Sequence, residues 1–166
     1  MYYRIADFIA DWERESQNTV KIFSFIKEGS QKRKVHENVR SLERLAWHIV
    51  QTITEMGSRA GLFDKDFLEE ESVPETMQGI TDAYQRWSRE LITVIESRWS
   101  DASLDEELNM YGEYWKKGTL LSVLIRHEAH HRSQMTVIMR LLGLPVPGIY
   151  GPSKEEWAGM GLPAME

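Results

Sequence analysis

Cysteine is absent from the 166 residues of the chain. Its absence excludes a disulfide framework, a thiolate metal site and a cysteine nucleophile. It also suits a reducing compartment, so we expect the protein to be cytoplasmic. Long apolar runs are missing as well: none approaches the roughly 18 residues that a membrane-spanning helix needs. We therefore expect no membrane partner, and charged residues near the N-terminus argue against a signal peptide.

An excess of positive charge is also missing, because 20 lysines and arginines face 26 acidic residues and the net charge is −6. Nonspecific nucleic-acid binding needs a basic face, so we exclude nucleic acid as a partner. The hydrophobic content of 42% and the charged content of 28% are ordinary for a globular protein. The length suits one domain, which we expect to span residues 1–166.

Hydrophobic periodicity predicts four long amphipathic helices. Their expected bounds are Tyr2–Glu28, Ser41–Arg59, Pro74–Trp99 and Leu120–Gly143. Ser41 is a plausible N-cap of the second helix, and Pro74 occupies the first helical position predicted for the third.

The remaining segments carry weaker signals. The stretch Ser100–Gly118 breaks the helical period and favours short extended segments around Gly112. The tail after Gly143 is rich in glycine and proline, with at most one short helix near Ser153–Ala158. We therefore predict an all-α four-helix bundle with an irregular loop before its last long helix.

Two histidines interrupt the apolar face of the last helix. His127 and His131 fill the gap in a stripe formed by Leu120, Leu124, Met135, Ile138 and Leu142. Their spacing of four residues brings both rings to one side of a helix, and burying imidazoles without partners is costly. This pattern predicts a metal site, against the alternative of two hydrogen-bonded histidines in the core.

The other three histidines have different surroundings. His48 borders the buried side of the second helix, and it is the candidate third ligand, although a lone histidine there usually reflects polar packing. His130 lies about 100° from the centre of the stripe, so we expect it to support the site or face solvent. His36 lies in a charged link and is expected to be solvated.

Residues 127–131 also match H-E-x-x-H, the zincin metalloprotease motif, in which Glu128 would be the general base. The motif is short and its context is poor. No histidine follows His131, and Glu155 and Glu156 are the only nearby carboxylates downstream. We therefore rank a metalloprotease below the alternatives.

The chain resembles the DinB/YfiT-like superfamily in three segments: HEAHHRSQM, the LGLPVPGIYG that follows it, and LAWHIV far upstream. That superfamily carries H-x-x-x-H-R-x-Q on its last bundle helix and one more histidine on its second helix. The resemblance covers nearly the whole chain, and it implies that His48, His127 and His131 are metal ligands. Ser133 departs from the glycine that is frequent in the family, which concerns local packing and not the ligand set.

The resemblance implies a divalent ion, with zinc or nickel favoured and iron, manganese or copper as alternatives. It also implies a homodimer and a small-molecule substrate, in some relatives a low-molecular-weight thiol. Two functions stay open: a metal-dependent hydrolase or thiol transferase, and a non-catalytic bundle or dimer stabilised by metal. Three imidazoles leave positions open on the ion, which is typical of catalytic sites. Gln134 and Glu128 flank the stripe as candidate supporting groups or as plain helix-surface residues.

Overall fold

The computed structural model of the chain describes residues 1–163, and this part is mostly helical. The helices are α1 (Ile5–Ser24), α2 (Leu42–Arg59), α3 (Met77–Arg98), α4 (Lys117–Leu141) and the short α5 (Lys154–Trp157). Two strands, β1 (Glu107–Met110) and β2 (Glu113–Lys116), lie between α3 and α4. None of the helices within these residues is both long and apolar enough to cross a membrane.

The four long helices pack around one continuous apolar core. Helices α1 and α2 each pack against both α3 and α4. Aromatic side chains fill much of the interior, and Phe8, Trp12 and Tyr84 are fully buried in it. Because each helix carries an apolar stripe, burial of those stripes packs the first half of α2, which contains His48, against α4. That pairing positions the histidines.

The helix ends follow local capping chemistry. As predicted, Ser41 caps α2, and its Oγ accepts the Arg44 backbone N–H at 3.3 Å. The start of α3 differs from the prediction, because Thr76 is the N-cap and accepts the Gly79 N–H at 3.0 Å. Placing Pro74 at the first helical position was therefore wrong. A threonine hydroxyl can satisfy a free N–H of the first turn, which makes Thr76 the better starting point.

The segment expected to be irregular contains a small antiparallel sheet, so the fold is not purely all-α. Strands β1 and β2 pair from Glu107 opposite Lys116 to Met110 opposite Glu113. The two turn residues, Tyr111 and Gly112, have φ angles of 58° and 88°. Positive φ at both positions of a two-residue loop matches the twist of a hairpin, and it explains the glycine.

The tail beyond α4 folds back along α1 and α4. Gly143 follows α4 with φ +72°, close to the predicted end of that helix. Lys21 Nζ donates to the Gly148 carbonyl at 2.8 Å, and Arg140 forms an ion pair with Glu155. Helix α5 lies within the range predicted for a short helix.

Candidate metal centre

Helices α2 and α4 bring His48, His127 and His131 together. One nitrogen from each ring lies within 4.8 Å of the other two. The two Nε2 atoms of His127 and His131 are 3.1 Å apart, and the ring centroid of His48 lies 5.0 and 4.7 Å from theirs. Zinc–nitrogen bonds of about 2 Å place ligand nitrogens within about 4 Å of one another, so the group could hold one ion.

The position of the group follows from the stripe on α4. Leu124 and Met135, on either side of the two histidines, are fully buried, while His131 is buried and His127 is half-buried. His48 is half-buried on α2. The three rings therefore lie where the apolar interior meets the surface, and His131 lines a groove there.

Gln134 defines the protonation of His131. Its Oε1 lies 2.8 Å from Nδ1 of His131, and an amide oxygen only accepts hydrogen bonds. The proton of a neutral His131 is therefore on Nδ1, which leaves the lone pair on Nε2 facing His127. With its Nε2 as the free donor atom, His131 has the tautomer that a metal ligand needs.

The other polar neighbours separate into supporting and solvated groups. Gln134 Nε2 contacts His130 Nε2 at 3.0 Å, so exposed His130 touches the supporting amide but is not part of the three-histidine group. His127 Nδ1 is buried with no hydrogen-bond partner within residues 1–163. His36 is exposed, and its Nδ1 accepts the Asn38 N–H at 3.1 Å.

The three imidazoles are neutral at physiological pH. Burial is the main cause that lowers the pKa of His48 and of His127 from 6.5 to about 4, and mutual repulsion with the other histidines adds to it. Burial also lowers the pKa of His131. Metal ions bind the neutral form of imidazole, so protons compete little with metal at this group near pH 7.

Glu128 follows His127 by one residue, so its side chain is rotated by about 100° around α4. It is buried, and it is neither a surface residue nor a partner of the histidines. It is 2% exposed, and its carboxylate accepts hydrogen bonds from Tyr84 Oη at 3.0 Å and Thr19 Oγ1 at 3.1 Å. Burial raises its pKa to about 7. A zincin general base must face the water on the metal, and the direction of Glu128 into the core opposes that interpretation.

A buried ionic network extends from Glu128, and the sequence analysis missed it. Arg132 is 3% exposed, forms an ion pair with Glu15 of α1, and lies 3.5 Å from Glu128. Tyr150 of the tail donates to Glu15 and contacts Arg132. A signal was available, because Glu15 follows Trp12 by three residues on the apolar stripe of α1.

Comparison with known proteins identifies the family to which this fold belongs. The sequence profile of the DinB family matches residues 1–165. The chain belongs to the DinB family. The expectation drawn from the histidine segments and the tail is thereby confirmed.

Individual DinB relatives cover almost the entire chain. The uncharacterized protein YrdA of Bacillus subtilis (strain 168) is 39% identical over 164 residues, which is 99% of this chain and 98% of that protein. The crystal structure of a DinB-like protein from Bacillus cereus ATCC 10987 has a TM-score of 0.80 and 33% identity, covering 90% of this chain and 100% of that one. A second DinB-like crystal structure, YjoA of B. subtilis, is 19% identical with a TM-score of 0.66, covers 84% of this chain and 95% of that one, and supports the fold alone.

Proposed function

We propose that this protein is a metal-dependent enzyme in which His48, His127 and His131 hold one divalent ion inside a four-helix bundle. The observation that carries the proposal is the close approach of three neutral imidazoles, with one nitrogen of each within 4.8 Å of the others. Without an ion, the Nε2 atoms of His131 and His127, 3.1 Å apart, can share one hydrogen bond, with His127 as the donor. A shared cation turns that contact into paired ligation.

We propose zinc or nickel, as the family resemblance implies, with iron, manganese and copper as alternatives. Imidazole suits many of these ions, so the ligand type does not choose among them. No cysteine or carboxylate joins the three-histidine group within residues 1–163. The charge of a bound divalent ion is therefore uncompensated by its ligands. When bound, such an ion supplies Lewis acidity, which lowers the pKa of a coordinated water or thiol.

The reaction we propose is hydrolysis of a small molecule or transfer of a low-molecular-weight thiol to one. The chain's own contribution is to hold three neutral ligands, with His131 oriented by Gln134 and lining a groove at the surface. Glu128 is excluded from proton transfer at the ion because its carboxylate contacts Tyr84 and Thr19 in the core.

A non-catalytic role is the second candidate, and it rests on the origin of the ligands. His48 comes from α2 and the other two from α4, so a bound ion would cross-link two helices and stabilise the fold. The two roles differ in their coordination. An enzyme needs an exchangeable position on the ion, whereas a structural site is closed.

We also propose that the protein is a cytoplasmic homodimer, on the basis of its cysteine-free sequence and the habit of the family. Tryptophan side chains lend this proposal little support. Trp12, Trp47, Trp87 and Trp99 belong to the buried core, so they are not available to an interface. Sedimentation at micromolar concentration tests the dimer, and a purely monomeric species would contradict it.

The deciding experiment is metal analysis of protein purified without a histidine tag, followed by a screen with thiols and activated electrophiles. We expect about one divalent ion per chain and turnover that disappears with a chelator. One ion per chain that takes up no added ligand and exchanges no coordinated water would favour the structural role. Tag-free protein that holds no metal would refute both.

A further inference from the structure

A groove begins at the three-histidine group and runs along α4. Its volume is about 670 Å³, and its walls come from α4, the start of α2 and the segment before it. The lining residues with apolar side chains are Val35, Val39, Leu45, Val137, Ile138 and Leu141. At one end lies His131, with Gln134 beside it. A molecule in this groove would therefore have one end next to the metal ligands.

The polar part of the groove is positively charged. Arg40 lines it, and no aspartate or glutamate is among the lining residues. The guanidinium is exposed and has no hydrogen bond or ion pair within residues 1–163. An arginine side chain can form two parallel hydrogen bonds with a carboxylate, so this one is available to bind a carboxylate from a ligand.

Arg40 lines the same groove as His131, one of the proposed metal ligands. A divalent ion would add two further positive charges to this region, and no neighbouring carboxylate in the groove offsets them. An anionic ligand is the complement that such a potential selects.

We propose that this groove is the substrate site and that it accepts a small organic acid with an apolar chain. The chain packs against Val39, Ile138 and their apolar neighbours, and the carboxylate pairs with Arg40. The planar guanidinium matches a carboxylate in two parallel hydrogen bonds, which fixes the direction of the molecule. Its reactive group then faces the ion. This inference rests on the metal centre proposed above, because the groove orients substrate toward that ion.

The test measures binding to the zinc-loaded full chain by titration calorimetry, with octanoate, octylammonium and octanol as probes. We expect octanoate to bind at least about tenfold more tightly than the other two, as charge-assisted hydrogen bonds are the stronger class. Arg40→Gln should weaken octanoate binding by about tenfold and leave the metal content unchanged. The matched control is Lys34→Gln, which removes the same charge outside the groove and should change the affinity less than twofold.

A second pair of variants tests the groove without touching Arg40. Val137 lines it and is exposed, so substitution there should not disturb the core. Val137→Glu should weaken octanoate binding by charge repulsion, whereas Val137→Gln, of the same size, should have a smaller effect. The difference between the octanoate affinities of these two variants separates the effect of charge from the effect of shape.

Each failure has a distinct meaning. Zinc-loaded protein that binds octanoate no better than octylammonium would overturn the anion inference alone. Unchanged octanoate affinity in Arg40→Gln would mean that the carboxylate binds elsewhere, for example on the ion, and would also overturn it. Octanoate binding that declines as the chain self-associates would assign the groove to a second copy. Wild-type protein that holds no metal would refute the proposed function, and this inference with it.

Discussion

Nδ1 of His131 lies 2.8 Å from Oε1 of Gln134, and this single hydrogen bond fixes the tautomer of one candidate ligand. We expect Gln134→Leu to lower metal affinity by about 10- to 100-fold, the usual cost of losing such a support. Gln134→Glu keeps the acceptor and should retain the affinity. Competition titration with a chromophoric chelator measures both. Wild-type affinity in Gln134→Leu would show that packing alone orients the ring.

Alanine substitutions distinguish the proposed ligands from their neighbours. His48→Ala, His127→Ala and His131→Ala should each abolish metal binding, because two imidazoles hold a divalent ion poorly against buffer. His130→Ala should retain it, since that ring contacts Gln134 and lies outside the three-histidine group. Metal content is measured on protein whose circular dichroism shows an intact fold. Full retention of metal in His48→Ala would favour the linear H-E-x-x-H motif over the three-histidine site.

The depressed pKa values of His48 and His127 make the metal-free protein sensitive to mild acid. The unfolded chain takes up these protons near pH 6.5 and the folded chain only near pH 4, so the unfolded state binds more protons in between. The free energy of unfolding should therefore fall as the pH decreases from 6.5 to 4. The limit is about 1.4 kcal/mol per pH unit for each histidine.

Denaturant unfolding of the metal-free protein at pH 7, 5.5 and 4.5 measures this trend. Glu128 has the opposite effect on the free energy of unfolding. Its pKa is raised from 4.5 to about 7, so its stabilising contribution is lost as the pH rises from 4.5 to 7. His48→Asn removes one histidine and leaves Glu128 in place, so the difference between variant and wild type isolates the histidine. Parallel pH profiles for the two proteins would contradict the prediction.

Periodic signals made the long helices and the histidine group predictable, whereas features that depend on contacts distant in sequence were not. His127 and His131 stood out because they interrupt an apolar stripe on one helix. Helix α3 starts after Thr76 and not at Pro74, because the Thr76 hydroxyl accepts a backbone hydrogen bond that the sequence alone does not reveal. The orientation of Glu128 was hidden for a related reason. Its partners Tyr84 and Thr19 come from two other helices, so only their packing shows which side of α4 faces the core.

The pair of Glu15 and Arg132 provides the sharpest test of the packing between α1 and α4. The two side chains are 6% and 3% exposed, and Arg132 Nη1 also donates to Thr19 Oγ1 at 2.9 Å. Removing one partner of a buried ion pair leaves an uncompensated charge, at a cost of about 3–5 kcal/mol. We expect a loss of that size in the free energy of unfolding of Arg132→Met.

The double variant Glu15→Leu with Arg132→Met should recover part of the loss, because it removes both members of the pair. Recovery is incomplete because Glu128, 3.5 Å from Arg132, still loses its cationic neighbour. The control is Arg140→Met, which breaks the ion pair with Glu155 on the exposed side of the same helix. Exposed pairs contribute about 1 kcal/mol or less, so this variant should remain close to wild type. Denaturant titrations at pH 7 compare the four proteins. Equal losses in Arg132→Met and Arg140→Met would mean that water reaches the Glu15 pair and screens it, and the tail around Tyr150 would then not seal the network.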